Sequence, residues 1–285
     1  MAEIQSVAVI GAGTMGSGIA HVFARSGFPV MLCDVEQRFL DRALASIRTN
    51  LGREAAKGKL NEAEIEPTLN RIIATVDMES LAGAQLAIEA APERFELKSQ
   101  VFAALDNILP PTAILATNTS SISITRMAAL TRRPSQVIGM HFFNPVPVMA
   151  LVEVVRGMAT SDATFTAVRD LSLKLGKTPV EVNDAPGFVS NRVLMPLINE
   201  AAFAVMEGVA TPEAIDQVFR LGMAHPMGPL TLADFIGIDV CLDILRVLQE
   251  GFGDPKYRPC PLLIRMVDAD WLGRKSGRGF YTYEK

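Results

Sequence analysis

The stretch that decides the fold runs from Val7 to Asp34 and reads Val-Ala-Val-Ile-Gly-Ala-Gly-Thr-Met-Gly-Ser-Gly-Ile-Ala-His-Val-Phe-Ala-Arg-Ser-Gly-Phe-Pro-Val-Met-Leu-Cys-Asp. Four β-prone residues come first, and the glycine-rich turn Gly11–Gly16 follows at once. Residues 17–26 have the pattern of a helix, and Pro29–Cys33 reads as a second buried strand that ends in Asp34. The order of strand, G-x-G-x-x-G turn, helix, strand and acid predicts a dinucleotide-binding unit on a parallel sheet.

Each glycine of the turn has a physical role. Gly11 permits the tight turn, Gly13 lets the backbone approach a pyrophosphate, and Gly16 lets the helix pack closely on the strand. The start of the helix adds unpaired N–H groups and the positive end of the helix dipole. We therefore predict that the cofactor binds to the whole turn, which comprises Gly11, Ala12, Gly13, Thr14, Met15 and Gly16.

Asp34 bears on the choice of cofactor. It follows Gly16 at close to the ~20 residues expected of the acid that accepts hydrogen bonds from ribose hydroxyls. A carboxylate there would repel a 2′-phosphate, and Val35 is not basic. NAD is therefore favoured over NADP, although Arg38 leaves NADP open as an alternative.

Length, composition and charge exclude several classes of protein. The chain has 285 residues, of which 49% are hydrophobic and 20% charged, and these are values of a globular protein. The net charge of −4 gives no support for binding to nucleic acid or to an anionic membrane. Three distant cysteines favour a reducing compartment without a disulfide framework or a metal site. Because Met1–Ser6 lacks the features of a secretory signal, we expect a soluble, cytoplasmic protein.

Two helices are predicted between the second strand and the next buried one. Residues 37–57 have apolar positions at helical spacing, Gly58 ends them, and a second helix is predicted over residues 62–72. The connecting turn carries Lys57 and Lys59. Either the pair is a solvated helical hairpin, or it is an arm that contacts an anionic substrate tail. The residues themselves leave both interpretations open.

Polar residues follow two further predicted strands, residues 86–89 and 113–117. In an open parallel sheet, ligands bind beyond the carboxyl ends of the strands. Glu93, Asn118 and Ser120 lie at such ends. Each of them alone could be a capping or turn residue, but together after a dinucleotide motif they favour contact with the cofactor.

The chemistry is predicted within Val137–Val155, an apolar stretch that contains His141, Asn144 and Glu153. Two strands with a proline-broken turn between them would bring Glu153 toward His141. A neutral imidazole can take the proton of an alcohol near pH 7, and a carboxylate on its other nitrogen would orient it. The alternative is a core histidine and an unrelated surface glutamate.

The last third of the chain changes character. Asn183–Gly187 is rich in turn residues and predicts a boundary between domains at residues 1–184 and 185–285. Helical spacing of apolar residues dominates beyond it. So much apolar surface on about 100 residues predicts a dimer interface. Asn191, at the start of the first of these helices, is either a capping residue or part of a site.

Taken together, the motifs resemble the 3-hydroxyacyl-CoA dehydrogenase family, and within it the short bacterial 3-hydroxybutyryl-CoA dehydrogenases. The resemblance spans the whole chain and rests on several motifs. They are Gly-Ala-Gly-Thr-Met-Gly-Ser-Gly at 11–18, Asn-Thr-Ser-Ser at 118–121, Gly-Met-His-Phe-Phe-Asn-Pro-Val-Pro-Val-Met at 139–149, Leu-Val-Glu-Val at 151–154, Pro-Gly-Phe-Val-Ser-Asn-Arg at 186–192, His-Pro-Met-Gly-Pro-Leu at 225–230 and Gly-Arg-Lys-Ser-Gly-Arg-Gly-Phe-Tyr at 273–281.

The resemblance implies an α/β Rossmann-type N-terminal domain, with a mostly parallel sheet and an inserted helical hairpin, followed by an all-α C-terminal domain. It implies a catalytic dyad at His141 and Glu153, with Ser120 and Asn191 holding the substrate. The resemblance also implies contacts with the cofactor for Glu93, Lys98 and Lys275, and it places Asn144 at both the cofactor and the dyad. For Lys57 and Lys59 it implies contacts with the phosphates of CoA.

The implied activity is the NAD-dependent interconversion of (S)-3-hydroxyacyl-CoA and 3-oxoacyl-CoA, with short chains such as 3-hydroxybutyryl-CoA and acetoacetyl-CoA. One alternative is a dehydrogenase of the same fold that acts on a small hydroxy acid without CoA, and the hairpin with Lys57 and Lys59 argues against it. The other is a non-enzymatic cofactor-binding protein. The presence of the full set argues against that, because a protein without catalysis has no use for His141, Glu153, Ser120 and Asn191 together.

Overall fold

The computed structural model describes residues 4–284. Part of the N-terminal segment on which the secretory-signal expectation rests therefore lies outside the described residues. The chain divides into two compact units, Met1–Asp184 and Ala185–Lys285. Within residues 4–284, no helix has both the length and the apolar character needed to cross a membrane.

The first unit is built on one eight-stranded sheet in the order β3-β2-β1-β4-β5-β6-β7-β8. Every neighbouring pair is parallel except β6 and β7. The strands are β1 Val7–Ile10, β2 Val30–Cys33, β3 Ile72–Thr75, β4 Leu86–Glu89, β5 Ile114–Thr117, β6 Val137–Phe142, β7 Leu151–Arg156 and β8 Thr178–Asn183. The predicted fold class, a Rossmann-type and mostly parallel sheet, is confirmed.

Helices connect these strands and cover the sheet. They are α1 Thr14–Arg25, α2 Gln37–Ala56, α3 Ile65–Asn70, α4 Phe95–Ile108, α5 Ile124–Ala128 and α6 Asp162–Lys174. All four residues of β1, β4 and β5 are buried. Central strands of a parallel sheet are covered on both faces, and this explains why they read as unbroken apolar runs rather than as alternating ones.

The hairpin between β2 and β3 differs from the prediction. The predicted second helix over residues 62–72 is a short 3₁₀ turn, Glu62–Glu64, followed by the six-residue α3. Ile72 already belongs to β3, which pairs with β2 from Val30↔Ile72 onward. The two helices are therefore the crossover connection of a β-α-β unit. The strand escaped prediction because this edge strand is only partly buried, so its apolar pattern is weak.

The second unit is helical, as predicted. Its helices are α7 Ser190–Met206, α8 Pro212–Gln217, α9 Pro229–Ile236, α10 Ile238–Phe252 and α11 Pro261–Asp268, and a π-helical turn, Val218–Gly222, follows α8. Thr211 caps α8 by accepting a hydrogen bond from the N–H of Ala214, and Pro212 takes the first position. Fully buried residues such as Ile198, Leu245 and Leu263 form the core of this unit.

Candidate functional site

The glycine-rich turn has the geometry that its three glycines predict. Gly11 has a φ of +101°, and a Cβ on it would lie 2.7 Å from the carbonyl oxygen of Ala90. A Cβ on Gly16 would overlap the carbonyl oxygen of Gly11. A Cβ on Gly13, in contrast, would meet nothing within 4 Å. The backbone at Gly13 therefore faces open space at the start of α1, which is where a pyrophosphate needs to approach.

Asp34 lies directly beside this turn. Its Oδ2 accepts a hydrogen bond from the N–H of Ala12 at 2.6 Å, and its Oδ1 accepts one from the N–H of Val35 at 2.7 Å. Arg38 forms an ion pair with Glu36, with 2.8 Å between Nε and Oε2. The Arg38 guanidinium, which kept NADP as an alternative cofactor, is thus paired with the carboxylate of Glu36. The turn, the helix and the acid together fit a dinucleotide whose ribose hydroxyls are free, as in NAD.

Glu93 lies in the loop that precedes α4 and holds the loop that follows β5. Its Oε1 accepts hydrogen bonds from the N–H groups of Ser120 and Ser121, both at 3.0 Å, from the hydroxyl of Ser121 at 2.8 Å, and from the hydroxyl of Thr119. Burial would raise the pKa of Glu93, but the charge of Lys98 and these hydrogen bonds hold the pKa below its ordinary value. Glu93 is therefore ionised at neutral pH and orders the loop that carries Ser120.

Lys98 is buried within a network that the sequence did not reveal. Its Nζ lies 2.8 and 3.0 Å from the two carboxylate oxygens of Glu89, 3.0 Å from the carbonyl oxygen of Ala91 and 3.3 Å from Oε2 of Glu93. The hydroxyl of Thr117 donates to the same Glu89 carboxylate at 2.6 Å. The sequence did contain an indication of this network. Glu89 lies at the end of a buried strand, and a buried carboxylate needs a partner.

Asn118 joins the ends of two neighbouring strands. Its Oδ1 accepts a hydrogen bond from the N–H of Phe142, at the end of β6, over 2.9 Å. The loop after β5 is thereby tied to the strand that carries His141. The predicted contact of Asn118 with the cofactor stays a prediction.

His141 and Glu153 face each other across β6 and β7. They are direct partners in the antiparallel ladder, and Nδ1 of His141 lies 2.7 Å from Oε2 of Glu153. The predicted contact is thus present in the structure. Both residues are buried, and the ring of Phe143 lies 4.7 Å from the imidazole, centroid to centroid. Because an ionised carboxylate only accepts hydrogen bonds, this pairing places the proton of a neutral imidazole on Nδ1.

Asn144 lies in the turn that connects the two strands. This connecting turn, residues 143–150, contains a cis peptide bond between Asn144 and Pro145. The carbonyl oxygen of Pro145 accepts hydrogen bonds from the N–H groups of Val148 and Met149, at 2.9 and 3.0 Å. Asn144 is exposed beside the end of β6. Its predicted role at the cofactor remains a prediction.

The remaining candidates lie elsewhere in the two units. Lys57 and Lys59 are exposed in the turn that follows α2. Asn191 is the second residue of α7 in the second unit. In the same unit, Lys275 lies in a short 3₁₀ turn and donates to Oδ2 of Asp239 at 2.5 Å. The roles predicted for these four residues are not tested by their positions.

Comparison with known proteins identifies the family. Residues 6–185 match the model of the 3-hydroxyacyl-CoA dehydrogenase NAD binding domain, and residues 187–283 match that of the 3-hydroxyacyl-CoA dehydrogenase C-terminal domain. The chain is 57% identical to a probable 3-hydroxybutyryl-CoA dehydrogenase of Bacillus subtilis over 99% of both chains. It is 53% identical to a 3-hydroxybutyryl-CoA dehydrogenase of Bradyrhizobium diazoefficiens, over 99% of this chain and 96% of the relative.

A solved structure is also similar over the full length. The crystal structure of (S)-3-hydroxybutyryl-CoA dehydrogenase from Ralstonia eutropha superposes with a TM-score of 0.97 at 48% identity, covering 99% of this chain and 100% of the other. The family models cover nearly the whole chain and include the part that binds NAD. The chain therefore belongs to the NAD-dependent 3-hydroxyacyl-CoA dehydrogenase family.

Proposed function

We propose that this enzyme interconverts (S)-3-hydroxybutyryl-CoA and acetoacetyl-CoA, with His141 and Glu153 as its acid-base pair. The observation that carries the proposal is the 2.7 Å contact between Nδ1 of His141 and Oε2 of Glu153 in a buried strand pair. The relatives named as 3-hydroxybutyryl-CoA dehydrogenases support a short acyl chain.

The pair performs one proton transfer in each direction. In oxidation, Nε2 of His141 takes the proton of the substrate's 3-hydroxyl, and Glu153 stabilises the imidazolium that forms. When bound, NAD supplies the acceptor for the hydride that leaves the 3-carbon. In reduction, Nε2 returns the proton to the carbonyl oxygen. The net charge of the pair changes from −1 to zero in oxidation, and the low exposure of both side chains keeps the attraction between them strong.

The other predicted residues orient the reactants. Ser120, in a loop held by Glu93, is proposed to hold the substrate's 3-oxygen, and Asn191 the thioester region. Asn144 and Lys275 are proposed to contact the cofactor. Lys98 is also proposed to act at the cofactor. Its contacts with Glu89 and Glu93 support this role, because they hold its Nζ at the same end of the sheet as the loop that carries Ser120.

The substrate tail and the oligomeric state complete the proposal. Lys57 and Lys59 present two exposed cations that can bind the phosphates of CoA. The second unit exposes large apolar side chains at Val209, Leu221 and Met223, and this supports a homodimer through that unit.

Steady-state kinetics test the proposed reaction. We expect turnover of acetoacetyl-CoA with NADH, a lower kcat/KM with longer 3-oxoacyl-CoA substrates, and little turnover of acetoacetate, which lacks the CoA tail. Equal kcat/KM for acetoacetate and acetoacetyl-CoA would instead favour the dehydrogenase of a small hydroxy acid. No turnover of any 3-oxoacyl-CoA would refute the proposal.

Replacement of Asp34 by alanine is expected to weaken NADH binding more than NADPH binding. The carboxylate lies 2.6 Å from the N–H of Ala12, so it is placed to accept from the ribose and to repel a 2′-phosphate. A lost hydrogen bond to a charged group costs about 1.5–3 kcal/mol, and we expect the dissociation constant for NADH to rise by ~10-fold or more. Fluorescence titration of each cofactor measures the change. An unaltered ratio of NADH to NADPH affinity would show that Asp34 does not bind the ribose.

A further inference from the structure

Lys177 contacts the connecting turn, residues 143–150, at two points. Its Nζ donates to the carbonyl oxygen of Val146 at 2.5 Å and to that of Met149 at 2.8 Å. It stands immediately before β8, and the next residue, Thr178, donates its N–H to the carbonyl oxygen of Ala150 at 2.8 Å. The start of β8 therefore binds both the middle and the end of the turn.

The charge of Lys177 is unusual for its surroundings. The residue is only 7% exposed, and within residues 4–284 its ammonium makes its direct contacts with backbone carbonyls rather than with a carboxylate. Burial lowers the pKa of Lys177, repulsion from Arg25 acts in the same direction, and Glu54 opposes both. A buried cation whose direct contacts are carbonyl dipoles loses hydration free energy, and its two hydrogen bonds to the turn offset part of that loss. These contacts with the turn are the reason to expect a role.

The turn is held from a second side by the cofactor-binding helix. Val146 is buried, and a Cβ on Gly18 of α1 would lie 2.9 Å from the Cβ of Val146. The glycine thus lets the helix approach the turn closely. The contacts with Gly18 and with Lys177 therefore fix the position of the connecting turn relative to α1 and to β8.

We propose that Lys177 is a positioning residue for the reaction, which acts through the carbonyl groups of Val146 and Met149 to hold the connecting turn. It does not touch substrate or cofactor in this role. It sets where Asn144 lies, and it fixes the turn that joins the strands carrying His141 and Glu153. The proposal rests on the proposed function for its kinetic consequence, but its structural consequence can be measured without turnover.

The test is the variant Lys177→Met, which keeps the apolar stem and removes the donors. We expect the N–H groups of Val148 and Met149 to exchange with deuterium at least ~10-fold faster, because the turn that protects them loosens. We expect kcat for acetoacetyl-CoA to fall by about 10- to 100-fold, since a displacement near 1 Å at a reacting site can cost ~10²-fold. The dissociation constant for NADH is expected to change by a smaller factor than kcat, because Asn144 is only one of the proposed cofactor contacts and the Gly11–Gly16 turn is not altered.

Two control variants separate positioning from general destabilisation. Val168→Ala removes core volume under the same sheet, and we expect it to lower Tm while kcat at 25 °C and exchange in residues 143–150 stay within twofold of wild type. Lys256→Met makes the same chemical change at an exposed lysine and should alter neither quantity. If Lys177→Met does not fold, Lys177→Ala, which also lacks a side-chain donor, replaces it and is held to the same expectations.

Three results would overturn the proposal. They are unchanged exchange in residues 143–150, a kcat within threefold of wild type, or the same loss of kcat in Val168→Ala. Absence of turnover in the wild-type enzyme would refute the proposed function instead. The exchange measurement would still decide the role of Lys177 in that event.

Discussion

Replacement of His141 by alanine is expected to lower kcat for acetoacetyl-CoA by about 10²–10⁴, the range for a lost general acid or base. The proton that moves between Nε2 and the substrate oxygen would then have to come from water. Binding of NADH is expected to stay near normal, because the glycine-rich turn and Asp34 follow two other strands of the sheet, β1 and β2. Steady-state kinetics and a fluorescence titration of NADH measure the two quantities on the same preparation.

Glu153→Gln tests the other half of the pair. Glutamine keeps the size of the side chain but can offer Nδ1 either a donor or an acceptor, so the imidazole is no longer restricted to one tautomer. We expect a loss of kcat of up to ~10⁴, the size of effect known for loss of an orienting carboxylate.

The matched control for His141→Ala is His225→Ala, because the ring of His225 packs at 5.3 Å against Phe219 in the second unit and its loss should leave kcat within about threefold. Full activity of His141→Ala would refute the acid-base assignment.

The strand pairing shows what the sequence could and could not predict. The apolar runs and the prolines predicted two strands with a turn between them, and the contact between His141 and Glu153 followed as one possibility. Spacing alone does not fix the register of a hairpin. A slip of one residue would place Glu153 opposite Met140 or Phe142 and turn its side chain to the other face of the sheet. The register His141↔Glu153 had to come from the structure.

Contacts between distant segments escaped prediction for a different reason. A local pattern reports how one segment is buried, but not which partner it meets. Lys177 looks like an ordinary residue before a strand, and only the tertiary structure brings its Nζ to the carbonyl of Val146. Glu89 was read as the end of a buried strand, whereas the structure pairs it with Lys98 and Thr117.

Alanine at Gly13 and at Gly16 is expected to produce opposite effects, although both glycines belong to one motif. A Cβ on Gly13 meets nothing within 4 Å, and the backbone there, with φ −69° and ψ −169°, suits an alanine. Gly13→Ala should therefore leave the Tm of the cofactor-free protein within ~1 °C of wild type. The same methyl group would occupy the space that the pyrophosphate needs. Loss of one hydrogen bond to a charged group, about 1.5–3 kcal/mol, corresponds to an NADH affinity lower by ~10- to 100-fold.

Gly16→Ala should act on folding itself. Its Cβ would overlap the carbonyl oxygen of Gly11, and a backbone atom in a tight turn cannot move aside as a flexible side chain can. Overpacking of this kind costs about 1–3 kcal/mol, which lowers Tm by ~2–4 °C per kcal/mol in a protein of similar size.

Thermal unfolding with and without NADH measures both variants. A Gly13→Ala protein that binds NADH as tightly as wild type would show that the pyrophosphate does not approach the backbone there. A Gly16→Ala protein with unchanged Tm would show that the helix and the glycine-rich turn do not need that close contact. Either prediction can fail while the other holds. Comparing the two variants therefore separates the role of a glycine in cofactor binding from its role in packing.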